Sequence, residues 1–349
     1  MTYSHLVETL AAAGKPARTV QCPDGTRVLL LPYGGRVLGL FAPGDDENFY
    51  WTHPALASVE SARAFYSSGE WQNSGGDRTW LAPEVDIFFP RYPDLDPSTY
   101  WQPRELDPGD YQVDSSGGIV KLTNRLSLTF SRSGRRVDLE MAKWVMPAAN
   151  PLRYEAALAD LTVGYAGYTQ HTTLALTGAE ARPVGLWNLV QMPHGGELLI
   201  PTYSKAEPKI YMGSIPDGDL VVSSQLVRYR MRAAGEQKIG IRAVITTGRA
   251  GYCYPSRGGL ALVVRNFSVN PSGEYVDVPW REPNDLGYST QACNVNGRWG
   301  QFSELEYHVP AIGTGAGDSR CEDISQVWAF RGASADILRI ARRLLSPEV

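Results

Sequence analysis

Histidine and cysteine are both scarce in this chain, at five and four among 349 residues. The cysteines, Cys22, Cys253, Cys293 and Cys321, stand far apart and form no C-x-x-C pair. That excludes a disulfide framework and a zinc knuckle, and the four read as ordinary reduced thiols. No stretch reaches the ~18 apolar residues of a membrane-spanning helix. Basic residues are not in excess. Lys+Arg 33 against Asp+Glu 37 leaves a formal net charge of −4, with no basic stripe, so nucleic acid is not an expected partner. Nucleotide and hydrolase motifs are missing too: no G-x-x-x-x-G-K-[ST], H-E-x-x-H or G-x-S-x-G occurs, and "GTGAGD" lacks the last glycine of G-x-G-x-x-G. No metal and no cofactor is expected. The opening "MTYSHLVETLAAAGKP" lacks the basic segment and apolar run of a leader. The expectation is therefore a cytoplasmic protein, or a periplasmic or secreted one if a leader has been removed. Nothing in the sequence sets an oligomeric state.

What is present points to β structure. A chain this long can bury a large core without disulfides or metal. Glycine (35) and proline (24) supply turns, and 18 tyrosines and 9 tryptophans suit an aromatic-rich interior. Short strands follow one another: "TRVLLLP", "GRVLGLF", "LSLTFSR", "RRVDLEMAKWVM", "GLWNLVQMP", "KIGIRAVITT", "GLALVVRNFSV" and "GQFSELEYHVP". In "RRVDLEMAKW", Val137, Leu139 and Met141 share one face and Asp138 and Glu140 the other. "SHLVETLAAAG" predicts a short opening helix with Ser4 as N-cap and Gly14 past its end. The apolar stripe Ile337, Ile340, Ala341, Leu344 predicts a closing helix over 333–346. The fold class expected is all-β, a mostly antiparallel sandwich of one domain over 1–349 with short terminal helices.

Residues 44–116 read as a loop-rich insertion holding Trp51, Trp71, Trp80 and Trp101. Aromatic rings beside polar groups suit sugars, whose C–H faces stack on rings while their hydroxyls take hydrogen bonds. Within it lies "GGDRTWLAPE", Gly75–Glu84. If extended, it sends Arg78, Trp80 and Glu84 to one face, with Asp77, Thr79 and Leu81 on the other. That face offers a donor fork, a flat ring and a carboxylate to a pyranose. The alternative is an Arg78–Glu84 pair with Trp80 in the core.

The best acid/base group is on the late strand "SELEYHVP". Glu304, Glu306 and His308 alternate with Leu305 and Tyr307 and so share a face. Two carboxylates that close push one pKa upward, which suits a proton carrier near neutral pH. Glu306, deeper in the strand, is the favoured base. His308, His194 in "MPHGGE" and His171 in "YTQHTTLAL" are the candidate acids. A solvated acidic strand face is the bland alternative.

"GGDRTWLAPE" resembles the G-G-x-R-x-W-x-A-P-E signature of uncharacterised bacterial families in the galactose mutarotase-like superfamily. "LWNLVQMP" is similar to their W-x-L-x-Q-x-P segment, and "KIG" to their K-x-G segment. "GQFSELEYHVP" resembles their late acidic strand, whose glutamate falls beside Leu305, leaving Glu304 and Glu306 both as counterparts. The resemblance implies a galactose mutarotase-like β supersandwich and a cleft for a sugar or oligosaccharide. It implies Arg78, Trp80, Glu84, Asp77, Trp187, Lys238 and Trp71 as substrate-binding residues. It further implies aldose 1-epimerase-like acid/base chemistry at a sugar carbon. Polysaccharide lyase, glycoside hydrolase or a non-catalytic sugar-binding domain are the alternatives, since one fold hosts many activities.

Overall fold

Alternating patterns such as Val137–Met141 resolve into two stacked sheets in the computed structural model, which describes residues 1–349. The first sheet has nine strands. From edge to edge they are Arg18–Gln21, Arg27–Leu31, Arg36–Phe41, Asp77–Ala82, Gly185–Pro193, Gly300–His308, Thr290–Gly297, Gly235–Ile241 and Lys209–Met212. The second has ten: Leu220–Val222, Leu226–Arg230, Glu197–Pro201, Arg249–Ser256, Gly259–Asn266, Arg320–Gly332, Gly164–Leu176, Arg135–Pro147, Ile119–Phe130 and Gln112–Ser116. Neighbouring strands pair antiparallel. This is the expected all-β class.

Each sheet has an inner face that buries its apolar residues against the other sheet. Leu81, Val190, Leu305 and Ile239 of the first meet Leu139, Met141, Tyr168 and Val263 of the second in one core. The closing helix, Ser334–Leu344, lays Ile337, Ile340, Ala341 and Leu344 on Leu262, Val264 and Phe330 on the outer side of the second sheet. The opening helix, Tyr3–Ala12, covers Leu29, Leu31 and Leu38 on the outer side of the first. Its N-cap is Thr2, whose hydroxyl accepts from the His5 N–H, so the helix starts before the expected Ser4. No helix is long and apolar enough to cross a membrane.

Residues 44–116 are not the insertion expected. They hold the helix Val59–Ser67 and the strand Asp77–Ala82. That strand lies fourth in the nine-stranded sheet, joining the three N-terminal strands to Gly185–Pro193. The extended stretch expected at Asp77–Ala82 forms, and it is a central strand of the sheet rather than part of an insertion. Gly75 and Gly76 lead into it with φ of 100° and 75°. A Cβ on Gly75 would come 2.4 Å from the Trp51 carbonyl oxygen, and one on Gly76 2.3 Å from that of Val37. The glycine pair is therefore required by close backbone approach as well as by the turn.

Candidate functional site

Alternation along the central strands decides which side chains face outward from the first sheet. Asp77 points inward and accepts a hydrogen bond from Tyr168 Oη (2.5 Å) and an ion pair from Arg265. Arg78 and Trp80 therefore point out. Strand register then aligns three rows on the outer face. Trp80, Trp187 and His308 form one. Arg78, Leu189, Glu306 and Gln291 form the next. Gln191, Glu304, Cys293 and Lys238 form the third.

Over these rows lies a narrow cavity of about 50 Å³. Arg78, Glu84, Lys238, Glu304 and Glu306 line it, with Trp71, Trp80, Tyr100, Trp187, Trp280 and Trp299 as its aromatic walls. A wider cleft of about 770 Å³ lies beyond the turn at Pro83–Asp86. Its arginines, Arg132, Arg182 and Arg242, are each already paired with a carboxylate. The smaller cavity holds the unusual chemistry.

Its two carboxylates differ in their partners. Glu304 Oε1 accepts from Arg78 Nη2 at 2.9 Å and Gln191 Nε2 at 3.0 Å, and Oε2 bonds to no protein group. Glu306 Oε2 accepts from Trp187 Nε1 at 2.8 Å and lies 3.4 Å from Lys238 Nζ. Its Oε1 is buried without a partner. Burial pushes the Glu306 carboxyl upward; Lys238 opposes this, and Glu304 and Glu84 add to it, leaving the pKa at about 8. The Glu306 carboxyl thus takes up a proton far above the ordinary carboxylate range. Lys238 stays charged, because Glu306, Glu84 and Asp277 together outweigh the burial that disfavours its ammonium and raise its pKa. Glu84 Oε2 is 3.3 Å and Asp277 Oδ2 3.9 Å from Nζ.

Glu84 does not continue the strand as expected. The Ala82–Pro83 bond is cis, and Glu84 opens the one-turn helix Glu84–Ile87. From there it meets Lys238, and it accepts from Tyr100 Oη (2.7 Å) and Trp280 Nε1 (2.9 Å). No Arg78–Glu84 pair forms, since Arg78 is turned to Glu304. Trp80 lines the cavity yet is only 3% exposed. The Arg78 guanidinium lies 4.1 Å from its ring and Phe88 packs at 4.7 Å, so no bare indole face is offered for stacking. Asp107 fixes both inner indoles, accepting from Trp71 Nε1 at 3.1 Å, Trp80 Nε1 at 3.0 Å and Arg36 at 2.7 Å.

The three histidines separate. His308 shares the face of Glu304 and Glu306 and stacks on Trp187 at 5.5 Å, but it is 1% exposed and does not border the cavity. Both its ring nitrogens lack partners. Burial, and then Lys238, hold its pKa well below the ordinary value, so it is neutral. His171 lies on the far side of the sandwich, stacked on Trp144 and 3.2 Å from Glu322. His194 bonds Asn294 at 2.9 Å; Asn294 alternates with Cys293 and so lies on the inner side. Neither His171 nor His194 reaches the cavity, and Asp77, on the inner side, does not either.

Gln191 follows from alternation, since Trp187, Leu189 and Gln191 share a face. Asp277, Trp280 and Trp299 come from connecting segments, which carry no periodic signal. Cys293 joins Glu304 and Glu306 with ligand atoms within 4.8 Å of one another. The set is a poor metal cage. A divalent ion would meet Arg78 and Lys238, which already answer both carboxyls, and burial, with Glu304 and Glu306, pushes the Cys293 thiol well above its ordinary pKa.

The whole chain resembles solved structures of one fold. A galactose mutarotase-like protein from Lactobacillus casei ATCC 334 aligns with a TM-score of 0.54 at 12% identity, covering 90% of this chain and 99% of that one. A candidate aldose 1-epimerase from Escherichia coli K12 aligns with a TM-score of 0.54 at 10% identity over the same shares. The fold is therefore galactose mutarotase-like. No curated protein matches the sequence. A family model spans residues 1–349 in full, and the chain belongs to that family, DUF6786, a family of unknown function.

Proposed function

We propose that this cavity binds a sugar and that Glu304 and Glu306 move protons at its anomeric centre, in aldose 1-epimerase-like chemistry. The observation that carries the reading is the unequal pair. Two carboxyls two residues apart border one cavity, and burial raises the pKa of one of them far above the ordinary carboxylate range. Such a split between neighbouring acids suits one base and one acid. On this reading the base is Glu304, and Glu306, expected from its place in the strand to be the base, is the acid.

In this scheme Glu304 Oε2 takes the proton of the anomeric hydroxyl. The anomeric carbon becomes a carbonyl carbon as its bond to the ring oxygen breaks, and those electrons leave on the ring oxygen. That oxygen takes the proton of Glu306. Rotation about the adjacent carbon–carbon bond presents the other carbonyl face, and the transfers reverse. Arg78 and Gln191 fix the Glu304 oxygen that does not react, and Trp187 and Lys238 do the same for Glu306.

The test is to follow freshly dissolved single anomers of a panel of aldoses by NMR with wild type, Glu304→Gln and Glu306→Gln. Turnover by wild type and a loss of ~10²–10⁴ in each variant is the expected result. Full activity in either variant removes that residue from the scheme. Binding with no turnover by wild type makes the protein a non-catalytic sugar binder.

A further inference from the structure

Resting on the sugar reading above, we propose that the ligand is an oligosaccharide whose further residues occupy a second space outside the cavity. That space has a volume of about 420 Å³, against about 50 Å³ for the inner one. The outer space falls within the ~300–1,000 Å³ range of ligand sites, and the inner one lies below it. Trp71, Tyr100, Gln102 and Trp299 border both spaces, so the two share a wall.

The outer space has the composition of a saccharide subsite. Trp101 lines it and is 50% exposed, with only the Arg104 guanidinium near its ring, at 5.8 Å. It is the bare indole face that Trp80 is not. Trp299 is held on one side by the Arg298 guanidinium, 4.4 Å from its ring. Polar groups stand beside these rings without partners. Asn73 is 3% exposed; its Oδ1 accepts from Arg36 at 3.3 Å, but its Nδ2 has no partner. Gln102 is 9% exposed and its amide, at the junction of the two spaces, makes no hydrogen bond to the protein. A buried donor left unsatisfied is costly, and native structures usually assign such a group a partner. Hydroxyls of a second sugar would partner Asn73, and a linkage passing the junction would meet Gln102. A lone monosaccharide in the inner cavity would leave Asn73 without a partner, since Asn73 borders only the outer space.

The experiment is titration calorimetry of the full chain with glucose and galactose against cellotetraose, maltotetraose and β-1,4-galactotetraose. One tetramer is expected to bind at least tenfold more tightly than its own monosaccharide. Trp101→Ala, an exposed site where the fold is not at stake, should cost about tenfold on that tetramer and leave the monosaccharide unchanged. Arg78→Ala should lose both. A tetramer that binds no more tightly than its monosaccharide overturns the outer subsite and leaves the single-sugar reading standing. So does a Trp101→Ala protein that binds the tetramer normally or weakens both ligands equally. Binding of no saccharide at all overturns both readings.

Discussion

Lys238 reaches across an intervening strand to stand 3.4 Å from Glu306, and its charge is shared with Glu84 at 3.3 Å. One ammonium thus serves carboxyls from a strand and from a one-turn helix, all buried. Removing it should be expensive. Lys238→Met is expected to destabilise the protein by ~3–5 kcal/mol in urea unfolding, because it leaves buried carboxylates without their cation. The double variant Lys238→Met/Glu84→Gln should recover part of that loss, since Glu84 Oε2 is the carboxyl oxygen nearest the ammonium. An unchanged midpoint in the single variant would contradict the account.

The proton on Glu306 makes a stability prediction with a definite sign. Its folded pKa, about 8, lies above the ordinary 4.5. Between those values the folded chain binds a proton that the unfolded chain has released. The contribution is full below about pH 4.5 and is lost as pH rises through about 8. Glu306→Gln should flatten the fall in stability across that window, by a few kcal/mol at most. The check is a series of denaturation curves from pH 5 to 9 for both proteins.

The same proton sets a rate profile. With Glu306 as acid, turnover should fall as pH rises through about 8 in wild type. A rate that instead climbs across that range would return Glu306 to the role of base.

Trp80 and Arg78 should respond differently, although they share a strand face. Trp80 is packed among Phe88, Trp71 and Trp187. Trp80→Ala is expected to cost ~3–5 kcal/mol of stability. Arg78→Ala should keep the far-UV circular dichroism spectrum and lose ligand binding, since Glu304 is left without its main donor. His171→Ala and His194→Ala should match wild type in both binding and turnover. A tenfold loss in either would mean that the cavity is not the site.

Much of this arrangement follows from period alone. Alternation puts Glu304, Glu306 and His308 on one face, and Arg78 and Trp80 together, because a pleated strand permits nothing else. Period does not say what covers a face. His308 shares the face of Glu306 but is sealed beneath Trp187, and Trp80 is hidden by Arg78 and Phe88. Asp77 was grouped with its motif neighbours although its own parity turned it to the core. Asp277 and Trp280 arrive from a connecting segment, where only the assembled sheet decides who meets whom. The 44–116 segment differs from the expected insertion for a related reason: local pattern allows Asp77–Ala82 to be extended, but only its pairing with distant strands makes it central.

The bond from Arg78 to Glu304 joins positions 226 apart in the chain; Trp280 and Glu84 are 196 apart, and Lys238 and Glu84 154. Contacts of such separation form late, after loop closure has been met many times over. A cut between Glu84 and Lys238 parts Arg78 and Glu84 from Lys238, Glu304 and Glu306, so neither fragment holds the whole cavity. A bound sugar would therefore behave as a clasp between the first quarter of the chain and the last. Whatever free energy it contributes would raise the unfolding temperature of the whole molecule, and it would slow proteolysis at loops far from the ligand as much as at those beside it.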